Sequence, residues 1–391
     1  MEKKSVDFKT MSTIVGRSNP STDGYWGIGL DIGYSAVKGL APNKYFCYPS
    51  YAKKIPHDRK VLKEDSPTDI RYRTKEGELW TVGALAYDEV NSSETIDSES
   101  ELFGRHRYYS PMFLVIARVG IAIGLMKNPF GEPGDRKLMI QTGLPPKYLK
   151  GDTQDLKDAL SGHHEFEIKI GSGPWTSFVF DLTPDDIMVM PQPLGALVSA
   201  SVGLDGRQIP TAKEYFSSNL IVFDPGFGTV DDYTVMKGNV ISSETFPEYG
   251  MREVFARTCE DIKNKYRVDI TIPELQNKLC NGTITYIDRK AFASKEYDFT
   301  DILLENSEKV CHEIIEKLKS VHNYFEDINY IIAAGGTYDA WADIFSEVFK
   351  NMTNLQIIPG NINEPALSNV FSNVRGYYYY LNNNLRIRGK K

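Results

Sequence analysis

The chain of 391 residues lacks a long apolar run. Its longest, residues 113–126, is too short to span a bilayer and contains Arg118, so it reads as a core helix. Residues 1–24 are polar, with Lys3, Lys4 and Asn19-Pro-Ser-Thr-Asp-Gly24, and read as a flexible leader rather than a secretory signal. The four cysteines, Cys47, Cys259, Cys280 and Cys311, have no metal-ligand spacing and are expected to stay reduced in a cytoplasmic protein. Triplets such as Asn281-Gly-Thr283 then carry no glycosylation signal. Positive charge is not in excess: the net charge of −7 excludes a general affinity for nucleic acid, and the basic tail at 386–391 reads as a solvated end. Two nucleotide motifs are also missing. There is no Gly-x-x-x-x-Gly-Lys-Ser/Thr run. Gly27-x-Gly29-x-x-x-Gly33 misses the dinucleotide fingerprint by one residue and places Asp31 where a pyrophosphate would approach, a repulsive arrangement unless a cation lies between them.

What is present is a repeat. Asp31-Ile-Gly33-Tyr34-Ser35-Ala36-Val37 returns as Asp224-Pro-Gly226-Phe227-Gly228-Thr229-Val230, with aspartate, glycine, aromatic and valine at the same offsets. Each phrase follows an apolar strand-like run (25–30 and 219–223) and precedes another (37–40 and 232–236), which predicts two strand-turn-strand hairpins. Either alone could be an ordinary Asp/Gly turn. The pair suggests two related half-molecules facing one another as a clamp for a metal-bound polyphosphate. Glycines let backbone N–H groups turn toward an anion, and an aspartate at a strand end can hold a hydrated cation. Lys38, seven residues after Asp31, should emerge across the hairpin and reach a phosphate.

These hairpins resemble the two phosphate loops of the actin-like ATPase superfamily, and further segments follow in the order that superfamily requires. Ile187-Met-Val-Met-Pro-Gln192-Pro-Leu-Gly195 resembles the helix entering the second half, with Gln192 where actins carry the water-orienting glutamine. Ile331-Ile-Ala-Ala-Gly335-Gly336-Thr337 is similar to the adenosine loop, and the segment from Asn363 through Pro365 to Tyr377 to the closing helix, expected over 365–381. Leu138-Met-Ile-Gln-Thr-Gly143-Leu-Pro145 is similar to the plasmid-segregation (ParM-like) actins. The resemblance covers about residues 26–381.

The resemblance implies an α/β, actin-like fold: two related halves with ribonuclease-H-like mixed sheets, each with an inserted subdomain, and nucleotide in the central cleft. Domain I is expected over 25–190, with an insertion at about 53–103 whose stretch 91–100 would be a mobile loop, and is completed by about 361–391. Domain II is expected over 191–360, with a helical insertion at about 246–325. Asp31 and Asp224 would hold Mg²⁺, mostly through water; Gly33, Tyr34, Ser35, Gly226, Phe227, Gly228 and Thr229 would bind phosphates; Lys38 would neutralise charge; and Gln192 and Asp231 would act on the attacking water. Gly335, Gly336, Thr337 and, on the helix near 253–266, Lys263 would contact the nucleoside of ATP or GTP. Phe227, and Asn264 where actin has a glutamate, depart from the family pattern and leave base preference open. The implied function is a slow Mg-dependent ATPase or GTPase that assembles with itself into a polar filament. It would drive plasmid segregation through a small DNA-binding adaptor on a centromere-like site, without touching DNA or membrane itself. The alternatives are a cell-shape or division actin, or a sugar or acid kinase of the same superfamily.

Overall fold

The computed structural model describes residues 4–56, 65–88, 104, 107–288 and 290–388. Strands of the first half are β1 (Thr13–Gly16), β2 (Tyr25–Ile32), β3 (Ala36–Ala41), β4 (Lys44–Pro49), β5 (Ala52–Ile55), β6 (Ile70–Thr74), β7 (Leu79–Val82), β8 (Lys137–Leu144), β9 (Gly162–Ile170), β10 (Thr176–Leu182) and β11 (Ile187–Pro191). Those of the second half are β12 (Asn219–Pro225), β13 (Val230–Met236), β14 (Asn239–Phe246), β15 (Thr283–Asp288), β16 (Ala293–Asp298), β17 (Tyr330–Ala333) and β18 (Gln356–Pro359).

The duplication read in the hairpins extends to topology. One sheet runs β4-β3-β2-β8-β11 and the other β14-β13-β12-β17-β18. In each, three antiparallel strands are followed by two that join the first in parallel. The strands β2 and β12 are buried along nearly their whole length, as the central strands of sheets covered on both faces must be. The helix Pro111–Leu125 packs on β2 and β3. Ser110 caps it by accepting the Phe113 N–H at 3.1 Å, Pro111 opens its first turn, and it is apolar except at Arg118, whose half-buried guanidinium donates to His164 and Tyr72.

Both insertions differ from expectation. β5, β6 and β7 belong to a sheet β10-β9-β6-β7-β5, so the first inserted lobe also takes in residues 162–182, which no motif marked. The stretch 91–100 lies outside the described residues. The second insertion holds the helices Met251–Tyr266, Ile272–Lys278 and Thr300–Val321, and also the hairpin β15–β16, which the helical spacing around it did not announce.

The halves are joined by two crossing helices, Gln192–Ser201 and Ser372–Arg388. The second begins later than 365, because the chain first turns through Pro365 and a 3-10 turn at Asn369–Phe371. It also carries the start of the basic tail, through Arg388, as helix. At the crossing a Cβ on Gly376 would lie 1.8 Å from the Gly195 carbonyl oxygen, so glycine is required for this approach. Arg375, fully buried, donates to the carbonyls of Ser199 (2.7 Å), Val202 and Gly203 (both 3.1 Å) and pairs with Glu364 at 2.7 Å. It thereby satisfies carbonyls at the end of the neighbouring helix, where the backbone ladder has run out.

The leader is not flexible over its described residues. Ser5–Phe8 forms a 3-10 turn seated on the second half, and β1 pairs antiparallel with β4 as a sixth strand of the first sheet. Arg17 pairs with Glu364, and the Asn19 amide donates to Ala41 O at 2.7 Å. Polar composition hid a few apolar anchors, Phe8 and Ile14, and the hydrogen-bonding edge that β4 offers. Among the described residues no helix is long and apolar enough to cross a membrane.

Candidate functional site

Both predicted hairpins form, with matching registers: Asp31 faces Lys38 across β2–β3, and Asp224 faces Asp231 across β12–β13. Equivalent bonds close the turns, Gly33 N–H to Ala36 O at 3.0 Å and Gly226 N–H to Thr229 O at 2.7 Å. These two glycine N–H groups are therefore spent within the turns and are not the anion donors the sequence suggested. The tips meet: a Cβ on Gly228 would lie 2.6 Å from the Tyr34 ring, so the first hairpin's aromatic rests where the second has no side chain.

The first hairpin is charge-balanced. Lys38 Nζ donates to Asp31 Oδ2 at 2.9 Å, and the Gln192 amide donates to Oδ1 at 3.2 Å from the start of its helix. Burial disfavours the Lys38 charge, yet Asp31 outweighs it and holds the ammonium pKa above its ordinary value. The second hairpin is not balanced. Asp224 Oδ2 accepts from the Asn373 amide at 2.6 Å, and Asp231 Oδ1 from the Thr245 hydroxyl at 2.6 Å; both carboxyls are buried. Burial pushes Asp224 up to about 6, against the pull of Asn373 and Lys38. Burial, then the Asp224 charge, raises Asp231 well above the carboxylate range. Asp231 thus does not face solvent.

Two cavities flank the hairpins. A small one of about 70 Å³ lies among Lys38, Gln192, Asp231, Gly143 and Arg107. A larger one of about 370 Å³ lies on the other side, walled by Gly335, Gly336, Thr337 and Val370, and it shares Ser35, Lys38, Asp224, Gly226 and Phe227 with the first. Gly335 takes φ +85° at the start of the helix Gly335–Phe349, a conformation suited to glycine, and a Cβ there would crowd Asp224 Oδ1 at 3.2 Å. The Thr337 hydroxyl donates to Gly226 O at 3.2 Å, tying this loop to the second hairpin.

Lys263 is not in the site. It lies in the last turn of its helix, exposed, paired with Asp269 at 2.7 Å, and lines neither cavity. That helix reaches the larger cavity only through Met251, in its first turn. Three residues escaped the sequence reading. Arg107, 8% exposed, stacks over the Tyr34 ring at 4.6 Å, donates to Ile32 O, and has an Nε without a hydrogen-bond partner among the described residues. Asn373 lies one turn before Gly376, a spacing that could have flagged it; Thr245 sits across β13–β14 from Asp231 and had no local signal.

Among the described residues no group of three or more His, Cys, Asp or Glu side chains could hold a metal ion. The three buried carboxylates Asp31, Asp224 and Asp231 nevertheless outnumber the two cations beside them, Lys38 and Arg107. That excess fits a hydrated divalent cation arriving with phosphate oxygens, the way magnesium is usually held, rather than a resident protein-only centre.

Residues 29–195 match the family model described as "Actin like proteins N terminal domain". Among solved structures the chain is similar to a non-polymerisable quadruple mutant of pCBH ParM (TM-score 0.68, 20% identity, 91% of this chain and 98% of that one). It is also similar to a ParM in a 15-stranded filament from Clostridium botulinum (TM-score 0.66, 18% identity, 91% and 98%). An archaeal actin homologue in complex with ADP gives a TM-score of 0.58 at 16% identity over 90% and 97%. At these identities the likeness establishes the fold. No curated protein matches the sequence.

Proposed function

Since the chain has an actin-like fold whose two hairpins oppose each other across a cleft, we propose that it is a nucleotide-dependent, filament-forming ATPase. The observation that carries this reading is the asymmetric pair of hairpins: Asp31–Lys38–Gln192 on one side, Asp224–Asp231 on the other, with a nucleoside-sized cavity behind them. In this reading the nucleoside occupies the larger cavity beside Gly335, Gly336 and Thr337, and the phosphates pass between the tips, where Ser35, Gly228 and Thr229 offer donors. Lys38 neutralises charge as the bond to the terminal phosphate breaks, and Arg107 adds a second cation at that end. Gln192 and Asp231 orient and polarise the attacking water in the small cavity. When bound, magnesium would be held by Asp31 and Asp224, largely through water, and would offset the phosphate charge.

The resemblance of the 138–145 segment to plasmid-segregation actins, with a ParM filament among the similar structures, supports the reading that the filament moves plasmid DNA. A net charge of −7 gives the chain no grip on DNA, so a small DNA-binding adaptor bound to a centromere-like site would make that contact. Light scattering and sedimentation with Mg²⁺ and ATP, GTP or a non-hydrolysable analogue test the class. Nucleotide-dependent assembly is expected. A monomer at every concentration, with phosphate passed to a sugar or acid, would overturn it in favour of a kinase.

A further inference from the structure

The N-terminal segment does something that neither hairpin explains. Its first anchor is on the second half: the Ser5 hydroxyl donates to Leu279 O at 2.8 Å, Phe8 packs against that half's core, and Lys9 Nζ donates to Cys280 Sγ at 3.0 Å. Its second anchor is on the first half, where Thr13, Ile14, Val15 and Gly16 pair with Cys47, Phe46, Tyr45 and Lys44 of β4. Between the anchors the chain crosses the mouth of the larger cavity. Asp7, Lys9, Thr10, Met11 and Thr13 line that cavity, opposite Gly336, Thr337 and Val370.

We propose that residues 5–16 are a strap that forms one wall of the nucleoside site and holds the cleft shut over a bound purine nucleotide. This rests on the nucleotide reading above. The strap is short. From Phe8 to Thr13 there are five residue steps, which span at most about 18 Å when fully extended. The halves can therefore part only within that reach before Phe8 leaves its core contacts or β1 peels from β4. Arg17, just beyond β1, pairs with Glu364, which also holds Arg375 at the crossing of the two joining helices, so the first-half anchor is tied to the body of the molecule. Release of nucleotide accordingly requires one anchor to detach, and the strap sets the rate of exchange. Its side chains Asp7, Lys9 and Thr10 add hydrogen-bonding groups to the cavity wall facing the glycine loop.

The test compares the full chain with a deletion of residues 1–11, which removes the span and the second-half anchor but keeps β1 on its edge. A full-length Ser5→Ala/Phe8→Ala variant keeps the span and loosens only the anchor. Release of pre-bound radiolabelled ADP, or GDP if that is what the full chain takes up, is followed by rapid filtration during a chase with unlabelled nucleotide. Dissociation about tenfold faster or more is expected in both variants, with the loss in affinity residing in koff. Release within about twofold of the full chain in both variants would overturn the strap while leaving the nucleotide site standing. Absence of nucleotide binding in the full chain would overturn the reading on which the strap rests.

Discussion

The two hairpins share a turn, a register and a closing hydrogen bond, yet carry opposite electrostatics. Across β2–β3 an aspartate meets a lysine, and across β12–β13 an aspartate meets an aspartate at the corresponding place. Like charges set directly opposite destabilise a sheet, and these are buried. The first hairpin is stable as it stands; the second is complete only when a cation or a proton comes to it. Duplication of a backbone has thus given one half a fixed charge and the other a demand for charge, which is what a site needs if it is to sense whether a metal-bound polyphosphate is present.

The sharpest way to break this contrast is to reverse it. Lys38→Met leaves Asp31 buried without its cation and should cost about 3–5 kcal/mol of stability in the metal-free protein, the usual consequence of halving a buried ion pair. Urea unfolding measures it, and a loss below about 1 kcal/mol would show that Asp31 is solvated by other means.

Hydrolysis sharpens the contrast next. Gln192→Ala should slow turnover by about 10²-fold or more while leaving affinity within a few-fold, because its side chain lines the small cavity and orients the attacking water there rather than holding the nucleotide. Asp231→Ala should behave alike, whereas Asp224→Ala should weaken metal-dependent affinity. Nucleotide titration beside phosphate release separates these cases. Equal loss of affinity in the Asp224 and Asp231 variants would make Asp231 a metal partner or a structural residue.

The smallest effect is on pH dependence. With Asp224 raised to about 6 in the fold and near its ordinary 3.8 when unfolded, the native protein binds more protons between those values. Its metal-free stability should therefore fall as pH rises through this window, and stay low above it. Asp224→Asn should flatten that fall and be more stable than the parent at pH 8 by about 1–3 kcal/mol, read from unfolding midpoints across pH. No change in slope would mean that Asn373 and Lys38 already neutralise the carboxylate.

Where the sequence was informative, the signal was local. Aspartate, glycine and aromatic at fixed offsets announce a turn, and the seven-residue spacing from Asp31 to Lys38 follows from antiparallel pairing across it. The partners that tune the site are distant in the chain and have no such rule. Asn373 reaches Asp224 over 149 positions, and Arg107 reaches Tyr34 because two elements of the first half happen to pack. The β9–β10 strands joined a lobe they do not adjoin in sequence, and Lys263 failed because a motif copied along a helix says nothing of which turn faces the cleft. The leader failed for a different reason: averaged polarity conceals single anchors such as Phe8.

The glycine crossing beneath the cleft has a mechanical consequence. With Gly376 set against the Gly195 backbone, and Arg375 gripping the carbonyls of Ser199, Val202 and Gly203, neither helix can slide along the other without driving a side chain into main chain. What remains is rotation about that point. The crossing is therefore a fulcrum and the two lobes are lever arms. Asn373, three residues before Gly376 on the same helix, donates to Asp224 of the second hairpin at 2.6 Å, so the hairpin is tied directly to the crossing. Under the proposed function, stiffness at this crossing, rather than flexibility, would let a bound nucleotide turn one half against the other.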